Sequence, residues 1–464
     1  MKKIILLIML QLATLMAVDF TISESGTLTK ESSVPETTQD VVTPVESTSD
    51  WIGPALPSTK FNVLNYGLKG DGVTDDSAAL NALAKNTSVT NWYFPEGYTF
   101  RLSRVVIPDH LTAVFGQGTI VSISYDVGAT GYAFGAFNID GKHTNLVFDG
   151  LHFKREPGFT GKYGYGQITI LQYSGNSSGI EIRNSTFDST YAGTCSIKGF
   201  ATNDHSHTGI RVYNNTFTNI NEFAVEFMEL TKPKTVNNRG FSNLHVYNNT
   251  FNGGTGVKPR AISIANVRQK TEVHHNIMDN LWWGIESVET NNTYIYENTM
   301  TNIYDAFYTE GQTWESVHNP VGRNYVYNNH VSGPGYLYLY MGSDSKIYDN
   351  YINGRVIVDY RFTGEPTGGE IYNNTIVWNG SSNVVDYRDI TSGSFHDNDI
   401  YTLYSSAVTA IKFTKASSSL FITDNNIYIK NTSSTCVEQG EGVTEAGTTC
   451  TLGYTGAVPT QDPK

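Results

Sequence analysis

The sequence predicts an all-β chain wound as a single-stranded right-handed parallel β-helix with a capping helix at its N-terminal end. Three observations carry that reading. The hexapeptide VYNNTF occurs twice, at Val212–Phe217 and Val246–Phe251, and variants of it recur down the chain. Tyr (29), Phe (22) and Gly (43) are abundant, and Asn and Thr with them; aromatic and β-branched residues suit pleated surfaces, while Gly and Asn suit tight corners. A Gly/Asp-rich turn and a short amphipathic segment precede the first repeat.

Taken in chain order, residues 1–20, MKKIILLIMLQLATLMAVDF, join two lysines to an apolar run from Ile4 to Ala17. The run is too short to span a bilayer and fits a secretory signal peptide, so the mature protein is expected outside the cell. Residues 21–60 are rich in Ser, Thr, Glu, Pro and Val without periodicity and read as a disordered linker. In FNVLNYGLKGDGVTDDSAALNALAK, Thr74 or Asp75 is placed as the N-cap of a helix whose apolar face is Ala78, Leu80, Ala82 and Leu83. Such a helix is expected to cover the open hydrophobic end of the coils.

The coils are expected over residues 61–430. Aligned on their last apolar residue, the motifs end at Phe187, Phe217, Phe251, Met278, Met300, Val331, Ile352, Ile376, Ile400 and Ile427, with an earlier turn at Phe153. Spacings between 21 and 34 residues suit stacked β-coils with loops of variable length. Strand alternation points the final apolar residue inward. The Asn two positions before it (Asn215, Asn249, Asn276, Asn298, Asn329, Asn350, Asn374, Asn398, Asn425) is expected at a corner, bonding backbone or the next Asn along the axis. The N-x-S/T sequons at Asn215 and Asn249 are therefore read as corners rather than glycosylation sites. Residues 431–464 read as a Ser/Thr/Gly-rich tail in which Cys436 and Cys450 could close a loop in an oxidising compartment. Cys195 reads as a buried, inert thiol.

This leading segment, followed by WYFPEGYTFRL and then the coils, resembles the pectate-lyase superfamily, which includes phage tailspike depolymerases and polygalacturonase-like enzymes. The resemblance implies the fold and a polysaccharide ligand. The N-T-D and R-I-K strings of polygalacturonases and the D-P-H-E motif of mannuronan epimerases are absent.

Chemistry is sought where the repeat is broken. The net charge is −13, yet Leu230 to Thr271 holds no Asp or Glu and seven cations: Lys232, Lys234, Arg239, Lys258, Arg260, Arg268 and Lys270. Such an island suits an anionic ligand or is simply a solvated basic stretch. A secreted acidic chain makes nucleic acid an unfitting partner, so Lys234, Lys258 and Arg260 are read as contacts to an extended acidic polysaccharide. Around the island, Val225, Ile262 and Ile285 are assigned one inward column, with Glu226, Ser263 and Glu286 in the next outward one, and Glu229, Asn266 and Glu289 near a further column. Elimination on a uronate needs the carboxylate neutralised and a base at C5. A Ca²⁺ held by Glu226, Glu229, Asn266 and Glu289 supplies the first, Lys270 the second, and Arg268 steadies the developing charge. This layout looks like that of β-helical alginate and chondroitin lyases, although their K-S-x-x-N and R-H-G strings are not present.

A competing site is built on VDYR, which occurs at Val358–Arg361 and again at Val385–Arg388. It places Asp359 over Asp386 and Arg361 over Arg388, with Tyr308, Glu310, Tyr338 and Tyr340 in the same columns of earlier coils. The bland alternative is a ladder of surface Asp/Arg pairs. Glu286 and Glu310 would stand roughly 8 Å apart, as inverting glycosidases require, and Asp359 and Asp386 nearer 5 Å, the retaining separation. His205, His207, His274 and His275 are read as incidental rather than metal-binding. The sequence thus points to a secreted enzyme cleaving a polysaccharide, with elimination placed first, hydrolysis second and a non-catalytic adhesin third, and with monomer and homotrimer both open.

Overall fold

The computed structural model describes residues 53–459 apart from short internal stretches, together with two short strands at Phe20–Ile22 and Leu28–Lys30 that pair antiparallel. Of the linker, residues 53–60 are described and hold neither helix nor strand, with the Pro54 carbonyl accepting from Arg183 Nη2 at 2.8 Å; the rest of the signal-peptide and linker readings lies outside the described residues. Met1–Gly53 forms a unit separate from Pro54–Lys464. No helix among the described residues is long and apolar enough to cross a membrane.

From Asp71 onward the chain is a right-handed parallel β-helix. Most coils contribute three strands, two to a 26-stranded sheet and one to a 14-stranded sheet; in two coils the pair runs on as one strand, Ile277–Val288 and Thr299–Glu310. One coil shows how the sequence builds it. Arg211–Tyr213 enters the 14-stranded sheet, the chain turns at Asn214 and Asn215, Thr216–Thr218 follows, and after a second turn at Asn219 comes Phe223–Glu229.

The final apolar residues of the motifs do stack as one inward column. Phe187 pairs with Phe217, Phe217 with Phe251 and Phe251 with Met278, and the column runs on to Ile427. None of these residues is more than 2% exposed. The phenyl rings of Phe153, Phe187, Phe217 and Phe251 lie parallel, with centroids 4.7–4.9 Å apart.

The doubled Asn of each motif divides two tasks. The first residue of the pair takes a left-handed backbone, as at Asn214 (φ 55°), Asn248 (φ 54°) and Asn328 (φ 54°), a conformation that Asn and Asp tolerate better than other side chains. The second forms the expected ladder. Asn298, for example, donates its backbone N–H and Nδ2 to Asn329 Oδ1 (3.1 and 2.9 Å), and its Nδ2 also bonds the Val273 carbonyl. Asn329 itself is fully buried. Asn329→Ala should therefore strand the Asn298 backbone N–H, take one acceptor from the Asn298 amide and one donor each from the Ile295 and Tyr327 carbonyls, and cost about 3 kcal/mol. Chemical denaturation checks this; a loss no larger than that of an exposed Asn→Ala would disprove the ladder's contribution.

Two boundaries differ from the sequence reading. The helix spans Ser77–Leu83 with Asp76, not Thr74 or Asp75, at its N-cap, because Asp71–Asp75 is a strand. Its buried face is Ser77, Leu80 and Leu83, a spacing of three, so Ala78 and Ala82 are exposed. The Asp76 carboxylate instead accepts from Lys69 N and Gly70 N (2.6 and 3.1 Å), tying down the preceding turn. At the other end, coils continue past residue 430. Thr435–Val437, Val443–Ala446 and Thr449–Leu452 extend both sheets, and Cys450 takes the column position above Ile427. Cys436 and Cys450 form a disulfide within this last coil. The stretch reads as a tail because its polar anchors hide the motif.

Candidate functional site

The outer face of the Phe223–Glu229 strand and of its counterparts in neighbouring coils carries a continuous column. Lys198, Glu226, Ser263, Glu286, Tyr308, Tyr338, Ile357, Asp386 and Lys412 follow one another as hydrogen-bond-register neighbours. Val225, Ile262, Ile285 and Phe307 form the inward column beside it, all fully buried. The expected adjacency of Glu226, Ser263 and Glu286 is thus present.

The polar members are held. Ser263 Oγ donates to Glu286 Oε2 at 2.5 Å, and Glu286 stays half-buried. Glu226 is buried, with Lys198 Nζ at 2.6 Å and the Cys195 thiol donating to it at 3.1 Å. Burial alone would lower Lys198, but the charge and hydrogen bond of the Glu226 carboxylate outweigh it and keep the amine above its ordinary pKa, so it stays protonated. Burial pushes the Cys195 thiol well up, which leaves it unreactive. Lys198 escaped the sequence reading because its coil was aligned only on the Phe187 motif; its parity beside inward Ile197 was the available signal.

Several expected partners are placed elsewhere. Lys270 does not face the glutamate column. It immediately precedes the strand Thr271–His274 of the 14-stranded sheet, where its Nζ is 2.5 Å from Glu272 Oε1. The turn after Ala265 carries the chain from one sheet to the other, and residue counting cannot see that rotation. Glu226 and Glu229 do not share a site either. They are three apart on one strand, and an odd separation puts side chains on opposite faces. Glu229 accepts from the Phe241 backbone N–H at 3.1 Å, while Asn266 Nδ2 donates to the Glu229 carbonyl rather than joining a carboxylate cage. The VDYR copies are out of register by two residues. Asp386 pairs with Ile357 and Arg388 with Asp359, because the coil repeats after 29 residues here, whereas the motif repeats after 27. Asp386 is 3% exposed and accepts from Arg355 Nη2 (2.7 Å) and Arg388 Nη2 (2.7 Å), so it is a buried ion pair and not an exposed sugar contact.

Glu310 pairs with Val288 and so stands two residues beyond Tyr308, the partner of Glu286. Tyr308, Glu310, Tyr338 and Asp359 are defined here by strand position. Lys234, Arg268, Glu289, Tyr340 and Arg361 lie outside the described residues.

The described members of the basic island rest on rings. Lys258 Nζ lies 5.0 Å from the Trp282 centroid, and Arg260 lies over Trp283 and Phe223 at 4.1 and 4.8 Å. Trp282 in turn stacks on Tyr304 at 4.2 Å, and Tyr304 is 42% exposed. Cation–ring contacts of this kind contribute about 0.5–2 kcal/mol each, which replaces the picture of a freely solvated basic stretch.

Asp305, paired in register with Trp283, also went unnoticed. It has the parity of inward Ile303 and Phe307, an odd place for a carboxylate, and that parity was the signal. Burial raises it to about 6 from 3.8. Because the folded state holds its proton more tightly than the unfolded chain does, stability should fall as pH rises from about 4 to about 6, by at most about 3 kcal/mol. Asp305→Asn should remove that slope. Denaturant midpoints of both proteins across this range test it; identical pH profiles would refute the assignment.

Fold and column together define a right-handed parallel β-helical protein with a carboxylate-bearing stripe along one outer face. The chain belongs to the pectate lyase-like family described as rhamnogalacturonase A/epimerase, whose sequence model matches residues 60–333. In fold it is similar to PfbA, a surface adhesin of Streptococcus pneumoniae, at 17% identity over 85% of this chain and 91% of that one, with a TM-score of 0.50. A hyperthermoactive exopolygalacturonase from Thermotoga maritima matches at 12% identity over 82% and 93% of the two chains, with a TM-score of 0.46. The A-module of the Azotobacter vinelandii mannuronan C-5 epimerase AlgE6 matches at 12% over 84% and 99%, with a TM-score of 0.44. No curated protein sequence matches the chain.

Proposed function

We propose that this protein is an extracellular enzyme that hydrolyses an acidic polysaccharide laid along the Glu226–Glu286 stripe, with Glu286 and Glu310 as the acid–base pair. One observation carries the reading. Glu310 is one coil and two residues from Glu286, which at about 4.8 Å per coil and about 3.3 Å per residue separates their Cα atoms by roughly 8 Å. Cα atoms so spaced are compatible with carboxyl groups roughly 6.5–9.5 Å apart, the separation at which inverting glycosidases fit a water between base and sugar. Membership of a pectate lyase-like family supports a polysaccharide substrate, the cations Lys258 and Arg260 support an acidic one, and the Cys436–Cys450 disulfide suits an oxidising exterior.

Elimination is the second reading, favoured by the cations beside the stripe, but neither lysine described near the stripe is placed to act as its base. Lys270 is bound to Glu272 on the other sheet, and Lys198 is held protonated. Incubation with a panel of uronate-containing polysaccharides separates the readings. Hydrolysis gives new reducing ends without the ultraviolet absorbance of an unsaturated uronate. Absorbance growing with the reducing ends means elimination, and retention of polymer without either means a binding protein.

A further inference from the structure

The 14-stranded sheet carries an outer ladder of rings unrelated to the stripe. Tyr213, Tyr247, His274, Tyr296, Tyr327, Tyr348 and Tyr372 stack in parallel at 4.6–5.0 Å. His274 replaces a tyrosine in the middle of this run, and at that point the adjacent outer column holds His245 paired with Glu272. His245, Glu272 and His274 are all buried, and one ligand atom from each lies within 4.8 Å of the others. His245 Nδ1 is 3.7 Å from Glu272 Oε2, close to the spacing of two ligands on one ion with bonds of about 2.0–2.1 Å.

We propose that His245, Glu272 and His274 bind one divalent transition-metal cation of the zinc class, tying the strand Leu244–Tyr247 to Thr271–His274.

The outer contacts prepare both imidazoles for this. His245 Nε2 is 2.9 Å from Asn243 Oδ1, an acceptor, so the proton sits on Nε2 and the lone pair on Nδ1. That Nδ1 is buried and has no hydrogen-bond partner. His275 Nε2 is 2.8 Å from Glu297 Oε2, and its Nδ1 is 2.8 Å from Nδ1 of His274. With Nε2 of His275 donating to Glu297 and its Nδ1 accepting from Nδ1–H of His274, the lone pair of His274 is on Nε2. A carboxylate or amide orienting the far nitrogen is the usual support of a metal-bound histidine.

Glu272 completes a two-nitrogen, one-oxygen set that leaves a position open for water or substrate. Its Oε2 accepts from Tyr296 at 3.0 Å, and its Oε1 meets the ammonium of Lys270, which is 47% exposed. Lys270 covers the solvent side of the cluster, so an entering cation displaces it and the two compete.

The full chain, stripped of metal by a chelator, is titrated with Co²⁺ and then Zn²⁺, followed by calorimetry, visible absorption and thermal unfolding. A single Co²⁺ should bind with a visible band that Zn²⁺ abolishes, and either ion should raise the melting temperature. His245→Ala and Glu272→Gln should weaken binding by about 100-fold or more and Asn243→Ala by about 10–100-fold. Lys270→Met should tighten it, and His396→Ala should leave it unchanged. His245→Gln replaces His245→Ala if the latter does not fold. Failure of the folded wild-type chain to take up either ion overturns the proposal, as does affinity unmoved at His245 or unmoved by Lys270→Met.

Discussion

Glu286→Gln is expected to reduce the proposed hydrolysis of an acidic polysaccharide by about 10²–10⁴-fold, the contribution of a positioned acid or base, without loss of fold. Glutamine keeps the shape of the side chain and still offers an oxygen to Ser263, whose hydroxyl donates to the carboxylate in the native protein. Only the capacity to gain or lose a proton disappears. Glu226→Gln provides the contrast. Glu226 is buried against Lys198 and Cys195, so its neutralisation leaves an ammonium without its counter-charge and should appear first as lost stability. Reducing-end release at saturating substrate, read beside thermal unfolding of both variants, distinguishes the two roles. Near-native turnover by Glu286→Gln would remove the stripe from the chemistry.

Phe217→Ala is expected to be the most damaging single truncation of the scaffold, at about 3–5 kcal/mol. The ring is fully buried and packed between Phe187 and Phe251 at 4.9 and 4.8 Å. Neighbouring coils cannot close the gap, because their backbones are held apart by the parallel ladder and by Asn215, which bonds both the Ile182 carbonyl and Asn249. In a solenoid each coil contacts only its neighbours, so the loss should be concentrated in the coils around residue 217. Hydrogen exchange should then show the earliest opening there. Lys346→Ala, which removes a half-exposed pair with Glu370, should cost no more than about 1 kcal/mol. Equal losses for the two variants would contradict the inward assignment.

The difference between these positions was legible without coordinates. A period of two assigns parity within any one strand, and a repeat that ends in Phe, Met, Val or Ile identifies which parity is inside. The Asn ladder was legible for the same reason, since a polar residue that recurs at a fixed offset from the core must find its partners along the axis. What the doubled Asn conceals is that its first member is there for its left-handed backbone, and at His275 (φ 53°) and Glu297 (φ 54°) other residues take that role.

Parity and repeat therefore determined the fold, the inward column, the corner ladder and the shared outer column of Glu226, Ser263 and Glu286. Tertiary structure alone decided which residues of successive coils lie side by side wherever loop length changes between them. Backbone hydrogen bonds and core packing set that register, and a turn can absorb two residues without altering either strand's pattern. Asp386 consequently lies beside Ile357 and not Asp359, and Lys270 turns onto the sheet of Glu272. His245, by contrast, stands 27 residues before Glu272 just as Phe251 stands 27 before Met278, so the repeat itself makes them neighbours; tertiary structure adds that three buried side chains of these two coils close on one point.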